Sequence, residues 1–150
     1  MGMRDDAYVQ TPPSGVAFLR LLADDTRLRI LSLLGKAPDL CVCEFVAILR
    51  LPQYRISRHL GQLRRSGLLT SRREGPFVFY SISEAARRQP LPRSILRAVR
   101  LLSSSQTVSG DLSRMRRLVK LERQQRLAAC VDEPPARRPR GRAILRAIGR

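Results

Sequence analysis

One stretch, residues 51–82 (LPQYRISRHLGQLRRSGLLTSRREGPFVFYSI), restricts the chain to few architectures. Pro52 suits the opening turn of a helix, where its fixed φ is already helical and the amide it lacks would be unpaired. Ile56, Leu60 and Leu63 then recur at i, i+4 and i+7, a single apolar stripe. At about 100° per residue, the face opposite that stripe carries Tyr54, Arg55, Arg58, Gly61, Gln62 and Arg65. That face holds guanidiniums, an amide and a phenol without a carboxylate, so it suits a polyanionic surface. Ser66-Gly67 is a C-terminal helix stop. Two β-type runs follow, Leu69 to Arg73 and Phe77 to Ile82, separated by the turn signal Glu74-Gly75-Pro76.

A groove-sized helix followed by a basic hairpin has the pattern of a winged helix-turn-helix. The helix would meet base edges in a major groove and the hairpin would hold phosphate nearby. The expected fold class is therefore mainly α, with a two-stranded β-hairpin wing. The plainer alternative is a solvated arginine face on an ordinary core helix; the glycine, the hairpin and the charge together argue against it.

The charge balance points the same way. The chain has 29 Lys and Arg against 12 Asp and Glu. Six of those arginines lie in residues 134–150, so residues 1–133 still carry 23 basic groups against the same 12 acids, +11. A body this basic fits nucleic acid better than a small anionic substrate. A membrane surface is the rival partner, but no segment approaches the ~20 apolar residues of a spanning helix. The N-terminus lacks a basic stretch leading into an apolar one, so no secretory signal is expected and the chain reads as cytoplasmic. Three cysteines in such a chain speak against a disulfide framework.

In chain order, residues 1–13 read as a flexible N-terminal arm. Ser14 is a candidate cap for a helix to about Leu22, with Val16, Leu19, Leu22 and Ala23 at helical spacing. Asp24, Asp25 and Thr26 offer a second cap, with carboxylates where a helix dipole favours them. The helix from about Thr26 to Leu34 is apolar on most of its circumference and belongs in the core. Residues 39–50 predict a helix from Cys41 or Val42 to Leu49, a short break before the helix at 53, which makes the helix-turn-helix. Residues 83–90 read as a loop. Leu91, Ile95, Val99 and Leu102 mark an amphipathic helix, and Ser103-Ser104-Ser105 a linker. A last helix is expected over about Asp111 to Ala129, with Val108, Leu112, Met115 and Val119 near heptad spacing. The proline- and arginine-rich residues 131–150 are expected to be a disordered basic tail that adds non-specific phosphate affinity or is incidental. The division that follows is an arm (1–13), a winged helix-turn-helix and dimerisation domain (14–104), a C-terminal helix (105–130) and the tail (131–150).

The segments LLADDTRLRILSLL, DLCVCEF, ISRHLGQLRRSGLL and RREGPFVFYSI, in that order and spacing, resemble the ArsR/SmtB family of bacterial winged-helix repressors, from about Val16 to Ile82 and more weakly to Ser104. The resemblance implies a homodimeric repressor that releases operator DNA when a metal or metalloid binds, turning on a detoxification operon. It also implies that the first and post-wing helices form the dimer interface.

In arsenic- and cadmium/lead-sensing members of that family, a Cys-Val-Cys at this point supplies thiolate ligands, and this chain has Cys41-Val42-Cys43. Thiolates select soft ions over Mg²⁺, Ca²⁺ or Mn²⁺. Residues i and i+2 of a helix do not face each other. Both sulfurs can therefore meet one centre only if the first turn distorts or if Cys41 lies just before the helix. Some arsenic sensors carry a third cysteine where this chain has Val46, and Cys130 is the candidate third ligand. Cadmium- and lead-sensing relatives add N-terminal cysteines, and residues 1–40 contain none. Zinc is disfavoured, since a structural site wants four ligands and residues 88–110 offer no histidine to the zinc site of other relatives. The expected inducer is trivalent arsenic or antimony, with no catalytic cofactor. Two other uses of the cysteines stay open: buried small hydrophobes and redox sensing.

The expected contacts with double-stranded operator DNA are Arg55, Arg58 and Gln62 toward bases, with Gln53, Tyr54, Ser57, His59 and Arg65 along the same helix, and Arg72 and Arg73 on phosphates. His59, about 60° off the apolar stripe, is expected to be packed and hydrogen-bonded at the protein–DNA margin. The alternative function is a regulator of the same fold with redox sensing or no metal response. An enzyme is not expected, because the chain has one histidine and neither a nucleophile-elbow nor a phosphate-loop motif.

Overall fold

The computed structural model describes residues 15–101 and 106–131. The expected arm, the Ser14 cap, the serine linker and residues 132–150 of the basic tail lie outside the described residues. Eight helices and three strands follow in order: α1 (Gly15–Leu22), α2 (Asp25–Leu34), β1 (Leu40–Cys41), α3 (Val42–Leu49), α4 (Gln53–Arg65), β2 (Leu69–Glu74), β3 (Phe77–Ile82), α5 (Glu84–Arg88), α6 (Pro90–Leu101), α7 (Gln106–Val119) and α8 (Arg123–Val131).

The helix-turn-helix is α3 and α4, joined by residues 50–52. The turn is that short because Arg50 closes α3 in the left-handed region (φ 56°), with its amide donating to Val46 O. Pro52 stands at the N-cap of α4 (φ −58°), one residue before the helical turn that its ring suits. Ile56, Leu60 and Leu63 are fully buried, so the predicted stripe is the packing face of α4. Burying each is worth roughly 1.5–3 kcal/mol. Asp24 caps α2 by accepting from the Arg27 amide at 2.9 Å, and Ile30, Leu31, Leu33 and Leu34 of that helix lie in the core.

The wing has the expected hairpin, β2 against β3, with Leu69 opposite Ile82 and Arg72 opposite Phe79. Gly75 takes a positive φ (57°) in the turn, a conformation that glycine adopts without penalty. A third strand, β1, joins the sheet in the order β1-β3-β2, pairing Cys41 with Phe79. Two residues are too few to produce an alternating pattern, so β1 was invisible in the sequence.

Three other elements differ from expectation. Residues 84–88 form a helix rather than a loop, because Ser83 caps it, its Oγ accepting from the Ala86 amide at 3.0 Å. The single C-terminal helix is two, broken between Val119 and Arg123. The buried stripe of α7 runs Val108, Leu112, Met115, Leu118, with Val119 exposed. On α1, Phe18 and Leu22 are buried, whereas Val16 and Leu19 are each 61% exposed.

Helix α7 is fixed to the body by a buried charge cluster. Asp111 is fully buried, and it accepts from Arg29 Nε at 2.6 Å and Nη2 at 2.9 Å, and from Arg114. Arg114 Nε also donates to the Ile48 carbonyl, and Arg29 Nη2 to that of Leu49, so two orphan carbonyls at the end of α3 are satisfied from α2 and α7. The bond to Asp111 raises the Arg29 pKa despite its burial. No helix among the described residues is long and apolar enough to cross a membrane.

Candidate functional site

The polar face of α4 is the first candidate site. Its apolar stripe is spent on the core, so the opposite face turns outward. Tyr54 is 77% exposed, and Arg55, Ser57, Arg58 and Arg65 are exposed as well. Gln53 and Gln62 are half-buried. Arg27 of α2 joins this face, donating from Nη1 to Gln62 Oε1 at 2.7 Å. That bond leaves the Gln62 amino group as the end free to face a partner. Arg27 was not singled out from the sequence, because nothing in the local pattern of α2 signals a bond to residue 62.

His59 is half-buried, with Nδ1 3.6 Å from Asp24 Oδ1 and no hydrogen-bond partner on that nitrogen among the described residues. It is packed at the edge of the face, as expected, without the hydrogen bond. Burial lowers its pKa, and the guanidiniums of Arg27, Arg58 and Arg55 act in the same direction against Asp24.

The wing arginines divide. Arg73 is exposed and carries no ion pair among the described residues. Arg72 is bound to carboxylates, donating to Asp39 Oδ2 at 2.8 Å and pairing with Glu74. Arg123 of α8 enters the same group, 2.9 Å from Glu74 Oε2 and 3.7 Å from Asp39 Oδ2.

The second candidate site is the cysteine cluster. Cys41 is the N-cap of α3, with extended backbone (φ −85°, ψ 164°). It lies just before the helix, which is the second of the two conditions under which both sulfurs can meet. Its Sγ is 2.7 Å from Cys43 Sγ, and no distortion of the helix is needed to bring them together. Cys130 arrives from α8, and all three sulfurs lie within 4.8 Å of one another. Cys43 and Cys130 are joined as a disulfide, with Cα atoms 6.1 Å apart, a separation that a bridge ordinarily spans. The expectation against disulfides is thus corrected at one pair. Spacing could not reveal it, since 87 residues separate the partners.

Glu44 completes this site and was missed by sequence reasoning. It is buried, and its Oε2 accepts from the Cys41 amide at 2.8 Å, one half of a capping box. Its Oε1 has no hydrogen-bond partner among the described residues and lies 3.5 Å from Arg126 Nε of α8. Burial raises the Glu44 pKa. Burial, then the Glu44 charge, pushes the Cys41 thiol up to about 12, so it holds its proton at neutral pH. A visible signal existed in Cys-x-x-Glu, a cap residue followed by an acid at the third helical position.

The model of the bacterial regulatory protein arsR family matches residues 24–71. The arsenic resistance transcriptional regulator ArsR1 of Pseudomonas putida is 47% identical over 74 residues, 49% of this chain and 56% of its own length. The chain thus spans little more than half the length of such curated relatives. Among solved structures, reduced HlyU from Vibrio cholerae is 32% identical with a TM-score of 0.51, the match covering 60% of this chain and 88% of that one. The AntR antimony-specific transcriptional repressor is 26% identical with a TM-score of 0.50, over 67% of this chain and 87% of that one.

Proposed function

The chain belongs to the arsR family of bacterial regulatory proteins, and on that premise we propose that it is a DNA-binding repressor whose inducer is trivalent arsenic or antimony, held by Cys41, Cys43 and Cys130. The observation that carries this reading is the convergence of three sulfurs, two from the β1–α3 junction and one from α8. The relatives' names, an arsenic resistance regulator and an antimony-specific repressor, point to the same ligand class.

The protonation of the site favours a metalloid over a divalent cation. A cation must displace protons from thiols, and the burial of Cys41 beside the Glu44 carboxylate opposes that loss. Arsenous acid arrives neutral. Each As–O bond exchanged for As–S sends the thiol proton out with hydroxide as water, so three thiols bind with no net proton release. The donors come from two elements, so a bound metalloid ties α8 to the N-terminal end of α3. The far end of α3 leads through residues 50–52 into α4, which offers a direct path from the thiols to the DNA-reading face. In the bridged form Cys43 and Cys130 are unavailable, and reduction, by two electrons and two protons, restores both thiols.

On DNA, we assign Arg55, Arg58 and Gln62 to base edges, with Tyr54, Gln53, Ser57, His59 and Arg65 around them and Arg73 on phosphate. We assign the exposed apolar residues Val16, Leu19 and Leu91 on α1 and α6 to a homodimer interface. A dimer would set two α4 helices into successive major grooves. The test is fluorescence anisotropy of the reduced protein on DNA from upstream of its gene, titrated with arsenite. Release near stoichiometric arsenite supports the reading, and binding indifferent to arsenite and antimonite refutes it.

The Cys43–Cys130 bridge favours one second reading, a regulator of the same fold that senses oxidants. A thiol oxidant would then release the operator where arsenite does not.

A further inference from the structure

Helix α8 touches the wing at one end and the thiol cluster at the other. Cys130 and Arg126 face Cys43 and Glu44, while Arg123, seven residues earlier, lies on the hairpin. Its guanidinium sits 4.3 Å from the Phe79 ring centroid and binds Glu74 at 2.9 Å, with Asp39 3.7 Å away. Arg72, expected to grip phosphate, is held by the same two carboxylates and stacks on the same ring at 5.7 Å. Phe79 is itself the cross-strand partner of both Cys41 and Arg72.

The charge count decides what Arg123 does. Arg72, Asp39 and Glu74 alone sum to −1 beside a surface that must approach phosphates. Two carboxylates would then hold the single Arg72 guanidinium and repel DNA. Adding Arg123 brings the group to zero and gives each carboxylate a second cation, which leaves Arg72 free to exchange a carboxylate for a phosphate. We propose that Arg123 is a further DNA-affinity residue of this protein, a wing cation supplied from α8 that neutralises Asp39 and Glu74. Anything that re-seats α8 at the cysteines therefore also reaches the wing through Arg123. The inference rests on the DNA-binding reading and not on the identity of the inducer.

The test uses the full chain in reductant and measures operator affinity as a function of salt. Arg123→Gln is expected to bind about fivefold more weakly at low salt, with a log–log salt slope shallower by about one, the signature of one lost phosphate contact. Arg123→Lys keeps the charge and is expected to stay near wild type. The triple variant Arg123→Gln/Asp39→Asn/Glu74→Gln regains wild-type affinity, a recovery that a purely structural role of Arg123 would not give. Unchanged affinity and slope in Arg123→Gln, or a loss that the two amides fail to recover, overturns the proposal. Arg55→Gln gauges the DNA reading separately, since it loses operator preference whatever Arg123 does.

Discussion

Cys43 of α3 and Cys130 of α8 are bonded sulfur to sulfur across 87 residues of sequence, with Cys41 Sγ 2.7 Å from Cys43 Sγ. If the three thiols hold the inducer as proposed, the pairing makes reduction a condition for induction. Protein carrying the bridge is expected to leave the operator complex unaffected by arsenite, and a strong reductant such as a phosphine is expected to restore the response. Thiol counting beside anisotropy checks this. Equal arsenite sensitivity of bridged and reduced protein would mean that Cys43 and Cys130 are not ligands.

Cys41 makes a second prediction through its raised pKa, pushed up to about 12 by burial and then by the Glu44 charge. The folded state keeps this proton to higher pH than the unfolded chain does. The associated stability is fully present below the unfolded pKa of ~8.5 and is lost as pH rises through the folded value. With the Cys43–Cys130 bridge intact, wild-type stability is expected to fall by about 2–3 kcal/mol more between pH 8 and pH 10.5 than that of Cys41→Ser. Urea midpoints at the two pH values measure it, and parallel losses in the two proteins would show that Cys41 is not the group responsible.

Asp111 anchors α7 through Arg29 and Arg114 with its carboxylate fully buried. Asp111→Ala leaves two guanidiniums facing a vacated site and is expected to cost about 3–5 kcal/mol. Thermal melting reads it directly. A shift of only a degree or two would mean that the cluster contributes little.

The polar face of α4, proposed to read DNA, gives a fourth prediction. Arg55→Ala and Arg58→Ala are each expected to weaken the operator complex by about 1–3 kcal/mol and to relax base preference. Arg73→Ala is expected to weaken all sequences alike and to flatten the salt slope by about one. Loss of preference on Arg73→Ala, with none on Arg55→Ala, would reverse these roles.

The helix-turn-helix and the hairpin were legible because they are built from local periodicity. The stripe Ile56, Leu60, Leu63 oriented α4, and Glu74-Gly75-Pro76 placed the hairpin turn. Cys41 at an N-cap was one of two geometries that the i, i+2 spacing allowed, and the structure chose between them. What stayed hidden depends on tertiary contact. The position of α8 follows from packing against α3, so neither the bridge to Cys130 nor the seating of Arg123 on Phe79 has a local signal. The β1 strand exists only by pairing with β3. The loop expected at residues 83–90 failed for a smaller reason, since Ser83 caps a single short turn that two nearby prolines had obscured.

The central claim is that three thiols from helices far apart in sequence form one metalloid site. Arsenic K-edge X-ray absorption on the reduced protein with one equivalent of arsenite tests it most directly. The account predicts a first shell of sulfur alone, three per arsenic, that becomes two sulfurs and one oxygen in Cys130→Ser. A shell containing oxygen in the wild type, or one unchanged by Cys130→Ser, would contradict it.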